Sequence, residues 1–249
     1  MRKTICILIL LLLPTFCFAG ALQDKCKSVI GKKNTSVACT DANPVGTCTG
    51  FMFCQNFEGT GYDNSETWTE GGTVDEDYTT TVLRGSQSCS LADSSSIRHN
   101  TGGTYTEIYA FARYRFADAT PTSSTYIYKN LDGSADFGGL KLLTTGRLSC
   151  DHGAQSNVSS GSLSSDTTYY IWIHFKASTG AGDGIMSATV STTRNPAEAT
   201  AALGCSEEAG DDADTNIDTV YFGSSAAGGA GVIVDQVLVK TSAIGAVCE

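Results

Sequence analysis

Aromatic rings and charged side chains alternate along two segments of the sequence, residues 104–117 and 168–177. Side chains in a strand point alternately to its two faces, so each segment predicts one apolar face and one face that mixes rings with polar donors. Flat rings can stack on the C–H faces of sugars, while charged groups reach the hydroxyls. We therefore predict a ligand-binding face that carries Tyr109, Phe111, Arg113, Tyr170, Trp172 and His174.

The same pattern has a second interpretation. A loop or the N-terminal segment could cover these rings and convert the face into a second small core, or the face could be the contact of a homo-oligomer. Exposed apolar patches on monomeric proteins are usually small, which favours this alternative. The sequence alone leaves both possibilities open.

Catalytic carboxylates are a further chemistry that a β-protein could carry. Hydrolysis of a glycosidic bond with retention needs two carboxyl groups about 5 Å apart. The nearest candidate is Asp75-Glu76-Asp77-Tyr78, which we interpret as a solvated turn. Serine-nucleophile, phosphate-loop and zinc-protease motifs do not occur in the sequence. We therefore predict no enzymatic activity, with a polysaccharide-cleaving hydrolase or lyase as the alternative.

The N-terminus predicts export. Arg2 and Lys3 precede an apolar run over residues 5–13 and then small residues, which is the pattern of a secretory signal peptide covering residues 1–21. Eight cysteines remain after its removal, and an even number in an exported chain predicts up to four disulfides whose pairing the sequence does not fix. We also expect one bridge to join the segment 26–54 to the C-terminal cysteine. The eight are Cys26, Cys39, Cys48, Cys54, Cys89, Cys150, Cys205 and Cys248.

Charge limits the partners. The leader holds two of the 16 basic residues and none of the 26 acidic ones, so the exported chain has a net charge of −12. Such a surface disfavours nucleic acid, anionic membranes and acidic polysaccharides, and leaves neutral glycans, proteins and cations. No later apolar run reaches the roughly 18 residues of a membrane helix, so we expect a secreted protein, extracellular or periplasmic, without membrane insertion.

Residues 22–49 are rich in cysteine and lack periodicity, so we interpret them as an N-terminal arm before one domain over residues 50–249. Within the domain, short runs of Tyr, Thr, Val, Ile and Phe alternate with Gly, Ser, Asp and Asn, which is typical of strands and turns. The sequence therefore predicts an all-β domain. We expect strands at 51–58, 80–92, 104–117, 124–131, 138–145, 147–152, 168–177, 185–193, 217–223 and 231–240.

These segments, in this order, resemble the concanavalin A-like lectin/glucanase jelly-roll superfamily, and its LamG-like branch in particular. The matching sequences include Cys54-Gln-Asn-Phe-Glu-Gly59, Tyr109-Ala-Phe-Ala-Arg-Tyr-Arg-Phe116, Tyr169-Tyr-Ile-Trp-Ile-His-Phe-Lys176 and Val232-Ile-Val-Asp-Gln-Val-Leu-Val239. The resemblance implies a disulfide-stapled sandwich of two antiparallel sheets whose first and last strands are neighbours. The family includes lectins and adhesion domains as well as glycosidases and lyases, so fold alone does not select the function.

Calcium is the cofactor that the sequence makes most plausible. The resemblance implies a structural calcium at Glu58 and Asp235, and Asp235 stands on an otherwise apolar strand face where a carboxylate needs a cation or hydrogen-bond donors. A second candidate is the loop from Asp212 to Asp218, which we otherwise interpret as solvated and acidic. Taken together, the sequence predicts a secreted carbohydrate-binding or extracellular adhesion module whose partner is a glycan or a protein surface.

Overall fold

The computed structural model describes residues 50–62, 67–133, 135–153, 155–179, 182–210, 216–224, 228 and 231–247. The expectations for the signal peptide, for the arm 22–49 with Cys26, Cys39 and Cys48, for Cys248 and for the start of the acidic loop at 212 concern residues outside these ranges. All described residues belong to one compact unit, Cys39–Glu249. No helix among them has the length and apolar character that crossing a bilayer requires.

The described residues form fifteen β-strands and a single 3-10 turn, Pro196–Glu198. The strands are β1 (Phe53–Gln55), β2 (Trp68–Gly71), β3 (Val74–Tyr78), β4 (Ser88–Leu91), β5 (Ser96–Tyr105), β6 (Glu107–Phe116), β7 (Thr125–Asp132), β8 (Ala135–Leu142), β9 (Arg147–His152), β10 (Gln155–Ser162), β11 (Thr168–Lys176), β12 (Gly184–Ser191), β13 (Cys205–Gly210), β14 (Ile217–Gly223) and β15 (Val232–Lys240).

Two antiparallel sheets share these strands. The eight-stranded sheet has the order β13-β12-β11-β6-β15-β4-β3, with β1 also paired to β15. The seven-stranded sheet has the order β10-β9-β8-β7-β14-β5-β2. The predicted all-β, two-sheet antiparallel jelly-roll sandwich is confirmed, and so is the neighbouring position of the first and last strands.

The core lies between the inner faces of the two sheets. Alternation supplies it, because every second residue of β6 and β11 is apolar and buried, as the sequence predicts. The seven-stranded sheet contributes side chains such as Ile127, Tyr128, Val220 and Phe222 to the same cluster. Burial of these faces removes apolar area from water and favours the sandwich.

The sequence did not predict several of the strands. Asp75-Glu76-Asp77-Tyr78 belongs to strand β3 and is not the turn that we expected. The strands β10 and β13 are the outermost strands of their sheets, and β10 is mostly Ser, Asn and Gln. Edge strands bury little of either face, so they lack the alternating pattern by which interior strands are recognised.

One disulfide joins the two sheets. Cys150 in β9 bonds to Cys205 in β13 with a Cα–Cα distance of 5.9 Å and a sequence separation of 55 residues. Closing a loop of that length restricts the unfolded chain and contributes about 4 kcal/mol in the chain-entropy model. Cys54 is disulfide-bonded as well.

Cys89 does not follow the predicted four-bridge arrangement. It is a free thiol in β4, fully buried in the core, and burial raises its pKa well above the ordinary value. The expectation that all eight cysteines are bridged is therefore wrong. The even number was misleading because a buried cysteine can serve as a small apolar core residue.

Candidate functional site

The structure brings the six residues of the predicted ligand face together on the outer side of the eight-stranded sheet. Strands β6 and β11 pair directly, so that Tyr109 lies opposite His174, Phe111 opposite Trp172 and Arg113 opposite Tyr170.

The C-terminal segment 244–247 covers the middle of this face. Phe111 and Trp172 form a second apolar cluster with Ile244 and Val247, and the Trp172 indole N–H donates to the carbonyl of Gly245 at 3.0 Å. Phe111 has no exposed surface and Trp172 is 7% exposed. A ligand outside the protein therefore has no access to the Phe111 ring, and this part of the face is a small core.

The next part of the face, at Arg113, is buried too. The guanidinium donates to the Gln236 side chain at 2.8 Å and to the Leu83 carbonyl at 3.2 Å, and it lies 4.9 Å from the centre of the Tyr170 ring. These internal partners hold Arg113 in the structure, so it is unavailable to an external sugar.

The two carboxylates proposed for calcium have separate sets of protein donors. Asp235 accepts hydrogen bonds from the Ser88 hydroxyl at 3.0 Å and the Gln236 backbone N–H at 2.6 Å, whereas Glu58 accepts both from the backbone N–H and from the hydroxyl of Ser86. Burial raises the pKa of Asp235 to about 7, against the opposing effect of these hydrogen bonds. No group of three or more His, Cys, Asp or Glu side chains suited to a metal occurs in the described ranges. Calcium binding stays a prediction.

A cavity of about 180 Å³ remains open at the other end of this face. Tyr109, Trp172, His174 and Ile244 are among its lining residues. The Tyr109 and His174 rings stack at 4.2 Å, and Glu107 accepts hydrogen bonds from the Tyr109 hydroxyl at 3.0 Å and from the His174 ring at 2.7 Å. The bond to His174 is the largest cause of the lowered pKa of Glu107. The polar groups here bind one another, and the cavity is smaller than the usual ligand pocket of about 300 Å³ or more.

The outer face of the seven-stranded sheet carries a different arrangement, and a β-bulge creates it. Tyr126 pairs with Lys141, but a register shift follows, so that Ile127 and Tyr128 both enter the core. The bulge turns Lys129 to the same outer face as Tyr126. Regular alternation would place these two side chains on opposite faces.

Three cations and two rings form a row across this outer face, which we call the cation–aromatic row. Its members, in order across four strands, are Lys141, Tyr126, Lys129, Tyr221 and Arg98. Each ring lies between two cations. The Lys141 and Lys129 ammonium groups are 4.5 and 4.7 Å from the Tyr126 ring centre, and the Lys129 ammonium and the Arg98 guanidinium are both 5.6 Å from the centre of Tyr221.

Carboxylates neutralise two of the three cations. Asp151 contacts the Lys141 ammonium at 2.7 Å and accepts a bond from the Tyr126 hydroxyl at 3.2 Å, and Asp136 contacts Lys129 at 2.6 Å. Desolvation is the largest single influence on Lys141 and lowers its pKa, but the hydrogen bond and charge of Asp151 together with Tyr126 outweigh it, so the pKa is raised. Burial is the largest cause of the raised pKa of both Tyr126 and Tyr221. Both phenols are therefore neutral donors at neutral pH.

A glycine allows two backbones to approach each other closely beside the row. Gly139 lies in register between Lys129 and Asp151, and a Cβ there would overlap the carbonyl oxygen of Tyr128. The row combines ammonium, carboxylate and phenol groups on one face, and Gly139 itself is buried. Such a surface offers directional hydrogen bonds of both kinds to a hydroxyl-rich ligand.

The comparisons with known proteins show the fold. No protein-family model matches the sequence, and no curated protein matches it significantly. Among solved structures, a cellulose-induced protein named Cip1 aligns with a TM-score of 0.56 at 15% identity, over 79% of this chain and 100% of its own. The two proteins share a β-sandwich.

Two larger proteins contain a similar domain. A Trypanosoma rangeli sialidase in complex with sialic acid aligns with a TM-score of 0.55 at 14% identity, over 84% of this chain and 34% of the sialidase. The binding domain of botulinum neurotoxin DC, solved with rat synaptotagmin II, aligns with a TM-score of 0.55 at 7% identity, over 80% of this chain and 50% of its own. This chain therefore spans half or less of these two proteins.

Proposed function

We propose that the protein is a secreted glycan-binding module that holds its ligand on the outer face of the seven-stranded sheet, at the cation–aromatic row. The observation that carries this proposal is the row itself, in which three cations and two phenol rings lie side by side on one face. The inter-sheet disulfide Cys150–Cys205 supports an oxidising compartment. Among the proteins that contain a similar domain, the Trypanosoma rangeli sialidase was solved with sialic acid, and cell entry of botulinum neurotoxin type C depends on two ganglioside molecules.

The module binds without cleaving its ligand. A general base must lose its proton near the working pH, whereas burial raises the pKa of both Tyr126 and Tyr221. Asp151, the carboxylate of the row, is held by the Lys141 ammonium and by the hydroxyl of Ser149. These features support a recognition surface in place of a catalytic one.

A glycan array followed by two matched variants tests the proposal. Tyr126→Ala removes the ring that separates two ammonium groups, and we expect affinity for the strongest array ligand to fall about 5- to 30-fold, which corresponds to a loss of about 1–2 kcal/mol. Tyr109→Ala is the control, because Tyr109 is also half-buried but lies on the opposite sheet. An unchanged affinity in Tyr126→Ala, or an equal loss in Tyr109→Ala, would show that the site lies elsewhere.

A further inference from the structure

The cation–aromatic row presents positive charge to a ligand, because cations cover its ring faces. Tyr221 is only 5% exposed, and Lys129 and Arg98 lie over its ring. Tyr126 is flanked in the same way by Lys141 and Lys129. A neutral sugar recognised mainly by stacking would need an uncovered ring face. The positions where such stacking would occur are occupied by cations.

The three cations are not equivalent. Lys141 and Lys129 each contact a carboxylate, at 2.7 and 2.6 Å. Arg98 is exposed, and no carboxylate of the described residues lies within ion-pair distance of its guanidinium. Tyr221 supports the planar group from one side. A guanidinium held in this way presents a fork of N–H donors that matches a carboxylate in size and geometry.

The net charge of −10 over the whole sequence does not exclude an anionic ligand at this place. Charges in water are screened beyond about 8 Å at physiological ionic strength, so distant acidic residues contribute little at contact. The row and its partners contain three positive charges, on Arg98, Lys129 and Lys141, and two negative charges, on Asp136 and Asp151. The local balance is positive although the whole chain is acidic.

We propose that the ligand is a carboxylated glycan and that Arg98 binds its carboxylate. This inference rests on the proposed function, since it assigns the ligand class of the same site. The sugar ring then lies along the row, where its hydroxyls meet the half-buried side chains of Lys129, Tyr126 and Lys141. Uronic acid polymers and sialosides share the recognised carboxylate and differ in the sugar that carries it.

Comparing each carboxylated glycan with its methyl ester distinguishes recognition of the charge from recognition of the sugar's shape. The probes are oligogalacturonate, oligomannuronate, oligoglucuronate and a sialoside, each compared with its methyl ester by calorimetry on the full exported chain. We expect at least one acid to bind about 10- to 100-fold more tightly than its ester, as a charge-assisted hydrogen bond contributes. Arg98→Gln should remove that preference, so that the acid and its ester bind the variant with equal affinity. Which probe shows the preference identifies the sugar.

The control variant is Arg115→Gln, which makes the same charge change on the other sheet, where Arg115 pairs with Asp166. Equal affinities for acid and ester, or equal losses in the two arginine variants, would overturn the carboxylate assignment while leaving glycan binding at the row intact. Failure of every acid and every ester, together with an empty glycan array, would overturn the proposed function and this inference with it. Melting temperatures confirm that each variant is folded.

Discussion

Asp235 should make the protein less stable as the pH rises. Its side chain is fully buried, and burial raises its pKa from 3.8 to about 7. A tenfold change in proton affinity corresponds to about 1.4 kcal/mol, so the ionised carboxylate is disfavoured by about 4 kcal/mol in the folded state. At pH values between the pKa of Asp235 in the unfolded chain and its pKa in the folded protein, the folded protein keeps a proton that the unfolded chain has lost. Stability is therefore highest below about pH 4 for this group, falls through about pH 4 to 7 and is constant above.

Asp235→Asn removes the titration and keeps a carbonyl oxygen for Ser88 or the Gln236 N–H. Between about pH 5 and pH 8 we expect the free energy of unfolding of this variant to rise by about 2–3 kcal/mol relative to the unsubstituted protein, roughly 5–10 °C in melting temperature. Thermal melts of both proteins at each pH, in a chelator, give this difference, and contributions common to both proteins cancel.

Parallel pH profiles for the two proteins would refute the reasoning. Repeating the series with calcium tests the cation expected at Glu58 and Asp235. A bound cation favours the ionised carboxylate and would reverse the sign, so that the unsubstituted protein gains stability relative to the variant as the pH rises.

Three further outcomes follow from the structure. Trp172→Ala should cost about 3–5 kcal/mol of stability because it empties the cluster under Ile244; an unchanged melting temperature with lost glycan affinity would contradict this. Cys89 should resist alkylation in the native protein and react once the unreduced protein is unfolded, and a bridged Cys89 would never react. Incubation with laminarin, carrageenan, agarose, alginate and pectin should release neither reducing ends nor unsaturated uronates, and release from any of them would show catalysis.

Much of the sandwich was predictable because burial imposes a period of two on interior strands such as β6 and β11, although the interior strand β5 (Ser96–Tyr105) was not predicted. In β6 and β11, apolar residues recur at every second position, and these are the residues that the structure places in the core. The pairing of Tyr109 with His174 and of Phe111 with Trp172 also agrees with two strands that share a face.

The cation–aromatic row was not predicted from the sequence because it depends on a local interruption of the two-residue alternation. Regular alternation assigns Tyr126 and Lys129 to opposite faces, and only the register shift after Tyr126 unites them. Adjacent apolar residues at 127 and 128, between a tyrosine and a lysine, were the one available signal. The cover over Phe111 was not predicted for another reason: Ile244 and Val247 follow the last strand in a segment that is too short to show a helix or strand period.

A crystal structure of the protein soaked with its tightest glycan tests the central claim most directly. We predict electron density for the sugar along the outer face of the seven-stranded sheet, in contact with Tyr126, Lys129 and Arg98. Density instead in the cavity beside Tyr109 and His174, with the cation–aromatic row unoccupied, would contradict it.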